Sequence, residues 1–70
     1  MPPPFFWSDQ FGLRLQLVGD TRSSVLVELE GDEGSFLARY LGRDGRLLAV
    51  LGANRSAEIG TARRELALAA

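Results

Sequence analysis

Cysteine, histidine and lysine are all missing from this 70-residue chain. Without cysteine there is no disulfide framework and no thiolate chemistry. Without histidine the commonest general base and the commonest transition-metal ligand are gone, which excludes a His-based triad and a transition-metal site. The serines at 8, 23, 24, 35 and 56 have neither histidine nor lysine to activate them. Charge of one sign is also lacking: nine acids face eight bases for a net charge of -1. A nucleic-acid binder carries a basic face or stripe, and none is present. All eight bases are arginine, at 14, 22, 39, 43, 46, 55, 63 and 64. With the many Ala and Gly residues, this reads as a genomic composition bias. No apolar run approaches the ~20 residues a membrane helix needs. The apolar N-terminal cluster is too short and wrongly flanked for a signal peptide, so a soluble, cytoplasmic chain is expected.

The acids supply no site either. Glu28 and Glu30 alternate outward on one strand, and Asp32 and Glu33 sit in a turn. Asp32, Glu33 and Asp44 lack the spacing of a calcium-binding loop. No glycine pattern makes a dinucleotide fingerprint or a phosphate-cradling loop. Residues 1–70 carry no catalytic apparatus and no metal site of their own.

What is present is one small domain, of a size that buries only about 60 % of its unfolded surface. Residues 1–4, with Pro2-Pro3-Pro4, read as an extended linker, and residues 5–70 as a single domain. The stretch Phe5-Phe6-Trp7-Ser8-Asp9-Gln10 holds the only tryptophan and two of the four phenylalanines. Trp7 is open to two readings: a partly buried core aromatic, or a planar anchor for a cofactor ring or partner surface. Asp9 can accept from backbone N–H groups and fix the turn into the next segment.

Beyond it, period-2 alternation predicts four strands. Gly12 to Val18 places Leu13, Leu15 and Leu17 on one face, with Arg14 and Gln16 on the other. Ser24 to Glu30 places Val25, Val27 and Leu29 opposite Glu28 and Glu30. In Ser35 to Leu41, the Phe36, Ala38 and Tyr40 set is favoured as the core face, because the other set carries Arg39. Arg46 to Leu51 is apolar without a break, which suits a strand that is central or under a helix. Gly31-Asp32-Glu33-Gly34 and Gly42-Arg43-Asp44-Gly45 are hairpin turns, with Asp44-Gly45 the clearer signal. A helix follows to about Leu68, capped by Ser56 or Asn54 and burying a stripe of Ile59, Ala62, Leu66 and Ala69. Arg55, beside Asn54, is open to two readings: a tether of the helix start, which is favoured, or a partner contact. The expected fold is α+β: a four-stranded antiparallel β-meander with a C-terminal helix on one face.

Pro4-x-Phe6-Trp7-Ser8-Asp9-Gln10-Phe11, then Phe36-x-x-x-Tyr40-Leu41-x-x-Asp44-Gly45-Arg46-Leu47-Leu48-Ala49-Val50, then Asn54-Arg55 before a helix, together resemble a known domain. It is the C-terminal domain of FAD-dependent NAD(P)H–ferredoxin reductases, the reductase components of bacterial aromatic-ring dioxygenase and cytochrome P450 electron chains. Apoptosis-inducing factor is a more distant relative. The resemblance covers residues 4 to 68. It implies a complete enzyme with upstream FAD- and NAD-binding domains, FAD and NAD(P)H as cofactors, and a ferredoxin-type iron–sulfur protein as partner. It further implies that Phe6, Trp7 and Ser8 lie beside the flavin, with Asp9 holding the bend and Asp44, Gly45, Asn54 and Arg55 as scaffold. Two positions depart from the pattern: Ser56 stands where a proline is common, and Leu51 where an acid is.

The chain is therefore expected to be the inert C-terminal domain of an electron-transferring flavoprotein. The alternative is a free-standing interaction module anchored by Phe5, Phe6 and Trp7. If those three aromatics form one flat interface, the isolated domain should self-associate through its N-terminal segment.

Overall fold

The computed structural model describes residues 5–10 and 12–69, so the Pro2-Pro3-Pro4 lead-in and Phe11 lie outside the described residues. Five strands and a helix follow in order: β1 (Phe5–Gln10), β2 (Leu13–Gly19), β3 (Leu26–Asp32), β4 (Ser35–Leu41), β5 (Leu47–Ala53) and α1 (Ser56–Ala69). The strands make one sheet in the order β1-β2-β5-β4-β3, every neighbour antiparallel. The α+β class stands, but the four-stranded meander is corrected on two points.

First, Phe5–Gln10 is itself a strand, in register with β2 from Phe5↔Val18 to Gln10↔Leu13. Its run of adjacent aromatics hides the period-2 alternation by which a half-buried strand is recognised. Second, β2 does not pair with β3. The chain crosses from β2 to the far edge of the sheet, and only β3, β4 and β5 form a meander. The continuously apolar β5 takes the middle position between β4 and β2 and lies under the helix, which covers one of its two faces.

The turns follow their residue chemistry. In the β4–β5 hairpin Gly42 N–H donates to the Arg46 carbonyl (2.8 Å) and Gly45 N–H to the Gly42 carbonyl (2.9 Å). Gly45 takes φ +83°, where a side chain would be strained, and the Asp44 carboxylate accepts from Arg46 N–H at 3.0 Å. In the β3–β4 turn the Asp32 carboxylate accepts from the N–H groups of Gly34 and Ser35.

The helix lies on a different face from the one the alternation suggests. Paired residues of neighbouring strands share a face, so Phe36, Ala38 and Tyr40 stand on the same side as Leu15, Leu17, Val27 and Leu29. The expectation that this set forms the core face of β4 is corrected: Leu37 is the β4 residue in the core cluster, and the helix covers the opposite side. Its core consists of Val18, Leu37, Val50, Ile59 and Ala62, with Phe5, Leu47 and Leu66 packed around it. Arg39 is accommodated on this side because it sits beyond the helix and reaches Glu30 on β3 at 2.9 Å.

Two local features direct the helix there. Gly52 leaves a notch that Ile59 fills; a Cβ at Gly52 would lie 2.9 Å from an Ile59 side-chain carbon and 3.2 Å from Leu37. Asn54, at φ +56°, turns the chain immediately after β5. Neither proposed residue caps the helix: the Arg55 carbonyl accepts the first helical bond from Ile59 N–H (3.0 Å), and the Ser56 hydroxyl is directed at Gln16 (3.0 Å). Of the expected stripe, Ile59 and Ala62 are buried and Leu66 half-buried.

Candidate functional site

Once β1 joins the sheet, strand geometry separates the three aromatics. Successive side chains on a strand point to opposite faces, so Phe5 and Trp7 lie on the helix side and Phe6 and Ser8 on the other. Phe5 is half-buried against the core, with the Arg63 guanidinium 4.5 Å from its ring centroid. Phe6 is 65 % exposed and Trp7 58 % exposed. The three do not form a single flat patch. One is part of the core, and the other two project from opposite sides of an edge strand.

Trp7 is the member best placed to meet a ligand. It stands across from Gln16, and a depression of about 260 Å³ beside it is lined by Phe5, Arg14 and Gln16. One position along, Asp9 faces Arg14 and accepts from its Nε at 3.3 Å. The indole is thus a projecting apolar plane edged by an amide and an ion pair. Ser8, on the other face, accepts a hydrogen bond from Gln10 Nε2 at 3.3 Å.

Asn54 and Arg55 hold this edge to the rest of the sheet. Asn54 Oδ1 accepts from Arg14 N–H (2.9 Å), Asn54 Nδ2 donates to the Gly34 carbonyl (2.8 Å), and Asn54 N–H donates to the Arg14 carbonyl (2.9 Å). One residue therefore joins β2, the β3–β4 turn and the end of β5. Arg55 donates to the Ser35 hydroxyl at 2.6 Å and pairs with Glu58 and Glu30 at 3.2 and 3.6 Å. Sequence reading missed Arg14, Gln16 and Arg63 as neighbours of the aromatics. The β1–β2 register would have revealed Arg14 and Gln16, because a hairpin about Gly12 sets Asp9 against Arg14 and Trp7 against Gln16.

The electrostatics offer no acid–base pair here. Asp20, held down to about 2 by hydrogen bonds from Arg22, belongs to the β2–β3 connection. Glu30, lowered mainly by its hydrogen bond from Arg39, lies across the sheet from β1. Among the described residues no cluster of acids could hold a metal ion, and no helix is long and apolar enough to cross a membrane.

Fold and site together define a small α+β module whose edge strand exposes Phe6 and Trp7 on opposite faces. Residues 5–70 match the family described as reductase C-terminal, and the chain belongs to that family. Over 69 residues it is 38 % identical to the ferredoxin–NAD(+) reductase component of the anthranilate 1,2-dioxygenase system of Burkholderia cepacia, covering 96 % of this chain and 17 % of that protein. Over 49 residues it is 47 % identical to a ferredoxin–NAD(P)(+) reductase of Sphingomonas sp., covering 67 % of this chain and 12 % of that protein. Among solved structures it is similar to a chain in the covalent putidaredoxin reductase–putidaredoxin complex. There the TM-score is 0.88 at 30 % identity, over 96 % of this chain and 16 % of that one. The chain thus spans less than a fifth of the length of these relatives.

Proposed function

We propose that this chain is the C-terminal domain of a flavoprotein that passes electrons from NAD(P)H through FAD to a ferredoxin-type iron–sulfur protein in the cytoplasm. The observation that carries the reading is membership of the reductase C-terminal family over residues 5–70, with relatives named as ferredoxin reductases. Its partners are the FAD- and NAD-binding domains of its own chain and the ferredoxin.

The residues fit one contact with a flavin, but they do not form a flavin site. Among the described residues no glycine-rich loop leads from a strand into the N-terminus of the helix, which is the arrangement that holds a dinucleotide. What the chain offers is the exposed indole of Trp7, framed by Gln16 and Arg14. Trp7 would lie along the flavin ring and help exclude water from it. Phe6 and Ser8, close by on the other side of the same edge strand, would complete the wall from that side. Asp9 and Arg14 would fix the strand that carries them. The flavin, when bound in the complete enzyme, supplies the exchange between two-electron and one-electron transfer. This domain positions and shields.

The test is the full-length protein. It should purify yellow and reduce a ferredoxin with NADH or NADPH. Trp7→Ala should change the flavin fluorescence and lower ferredoxin reduction while the protein remains folded. A colourless full-length protein with no NAD(P)H-dependent ferredoxin reduction would overturn the reading. Unchanged flavin emission in Trp7→Ala would remove Trp7 from the flavin contact.

A further inference from the structure

The sheet side away from the helix carries apolar residues on all five strands, with Ser8 and Gln10 of β1 as uncharged polar members at its edge. Phe6 on β1, Leu15 and Leu17 on β2, Leu51 on β5, Tyr40 on β4 and Leu29 on β3 all stand on it, with buried alanines between them. No charged residue of the described strands points to this side. The strand charges of Asp9, Arg14, Glu28, Glu30 and Arg39 share the helix side. Leu29 is 76 % exposed and Phe6 65 % exposed. Scattered exposed leucines need no explanation, but a continuous uncharged sheet face marks an interface.

We infer that this helix-free face is where the domain seats against the remainder of its own reductase chain. The inference rests on the reading under Proposed function, and area and charge select the occupant. With strands ~4.8 Å apart and a rise of ~3.3 Å per residue, the face measures roughly 500 Å² in plan, or about 1,000 Å² counting both sides. That lies within the range of interfaces between domains of one chain, about 600–1,500 Å². It falls short of the roughly 1,200–2,000 Å² usual for stable complexes between separate chains. Two surfaces on one polypeptide meet at high effective concentration, so a modest apolar face suffices. A redox partner that must arrive and leave gains from charge steering, which this face lacks and the helix side has. Relatives that extend far beyond this domain supply the covering surface.

The experiment uses the full-length protein with single cysteines placed at Leu29 or Val27 on the helix-free face, and at Glu65 on the outside of α1 as the reference. Maleimide labelling is read peptide by peptide by mass spectrometry; residues 1–70 contribute no cysteine of their own. Leu29→Cys and Val27→Cys should label at least tenfold more slowly than Glu65→Cys, at every protein concentration. Labelling at the Glu65→Cys rate overturns the inference. So does slow labelling that becomes fast when dilution dissociates a dimer, because the cover is then a second copy. Hydroxyl-radical footprinting of the unsubstituted protein reads the same face without any substitution, and oxidation of Leu29 and Phe6 at the rate of free side chains also overturns it. The absorbance spectrum of the same preparation tests the reductase reading separately. Yellow protein with fast labelling removes the docking face and keeps the reading. Colourless protein with slow labelling removes the reading and leaves the face covered by its own chain.

Discussion

Asn54 permits a quantitative test of how the Trp7-bearing hairpin is held. Its side chain makes two hydrogen bonds, to Arg14 N–H and to the Gly34 carbonyl, and its backbone lies at φ +56°. Asn54→Gly keeps the left-handed conformation and removes both side-chain bonds, each contributing about 0.5–1 kcal/mol at an exposed position. Asn54→Ala removes the same bonds and adds about 1 kcal/mol, because alanine keeps a Cβ in the left-handed region without the short polar side chain that makes asparagine tolerant of it. The glycine variant should therefore lose about 1–2 kcal/mol and the alanine variant about 2–3 kcal/mol. With a urea m-value of about 1 kcal/mol/M for a domain of this size, the alanine midpoint should fall by roughly 2–3 M. The assay is urea unfolding of residues 1–70 at low micromolar concentration, followed by Trp7 emission and by far-ultraviolet circular dichroism. If the two variants coincide, the backbone contribution is wrong. If both lose less than ~0.5 kcal/mol, Asn54 does not tie the three segments together.

Three further expectations use the same unfolding assay. Gly52→Ala should destabilise by about 1–3 kcal/mol, because the added methyl meets Ile59 at 2.9 Å and Leu37 at 3.2 Å between packed layers; a neutral result would show that the helix rides freely on β5. Gly60→Ala should stabilise by about 1 kcal/mol, since a Cβ there meets nothing within 4 Å and glycine is a poor helix former; a loss of stability would reveal a contact at that site. The Glu30 carboxyl is held below its ordinary range, first by the hydrogen bond from Arg39. A depressed folded-state pKa contributes stability above the unfolded-state value and loses it as pH falls through the folded one. Glu30→Gln should therefore be less stable than wild type near neutral pH, with the gap closing as pH falls below the usual carboxylate range; a gap that persists in acid would assign the loss to packing.

Much of this structure could be read from residue order, and the errors share one physical origin. Alternation located β2 to β5 within two residues and reported which side chains share a face, but it chose the wrong face of β4 for the core, which is built on Leu37. It cannot say which of two apolar faces a helix will cover. That depends on tertiary details: the notch at Gly52, the turn at Asn54 and the ties from Arg55 to Ser35 and Glu30. Strand order was out of reach for a similar reason. Nothing within β2 or β3 states that they occupy opposite halves of the sheet, since each is completed by partners distant in sequence. The aromatic stretch was singled out by its composition, and its division between two faces became visible only with the β1–β2 register. Adjacency to a helix start suggested Asn54 as a cap, but Arg55 takes that position and Asn54 instead bonds Arg14 and Gly34, partners that nothing near it in sequence indicates.

The crossover from β2 to β3 also has a consequence for the order of assembly. The β3–β4 and β4–β5 pairings are local, so that half of the sheet can close early, with the helix following directly from β5. The β1–β2 hairpin joins along a single seam, from Leu15↔Ala53 to Gly19↔Ala49, which closes a loop of roughly 30 residues or more. A ribbon whose pairing closes so long a loop is the part of the sheet expected to arrive last. Late arrival is not weak anchoring, however: Val18 of β2 is fully buried beneath the helix and Phe5 of β1 packs against the same core, so Trp7 cannot swing away at β2–β5 without opening it.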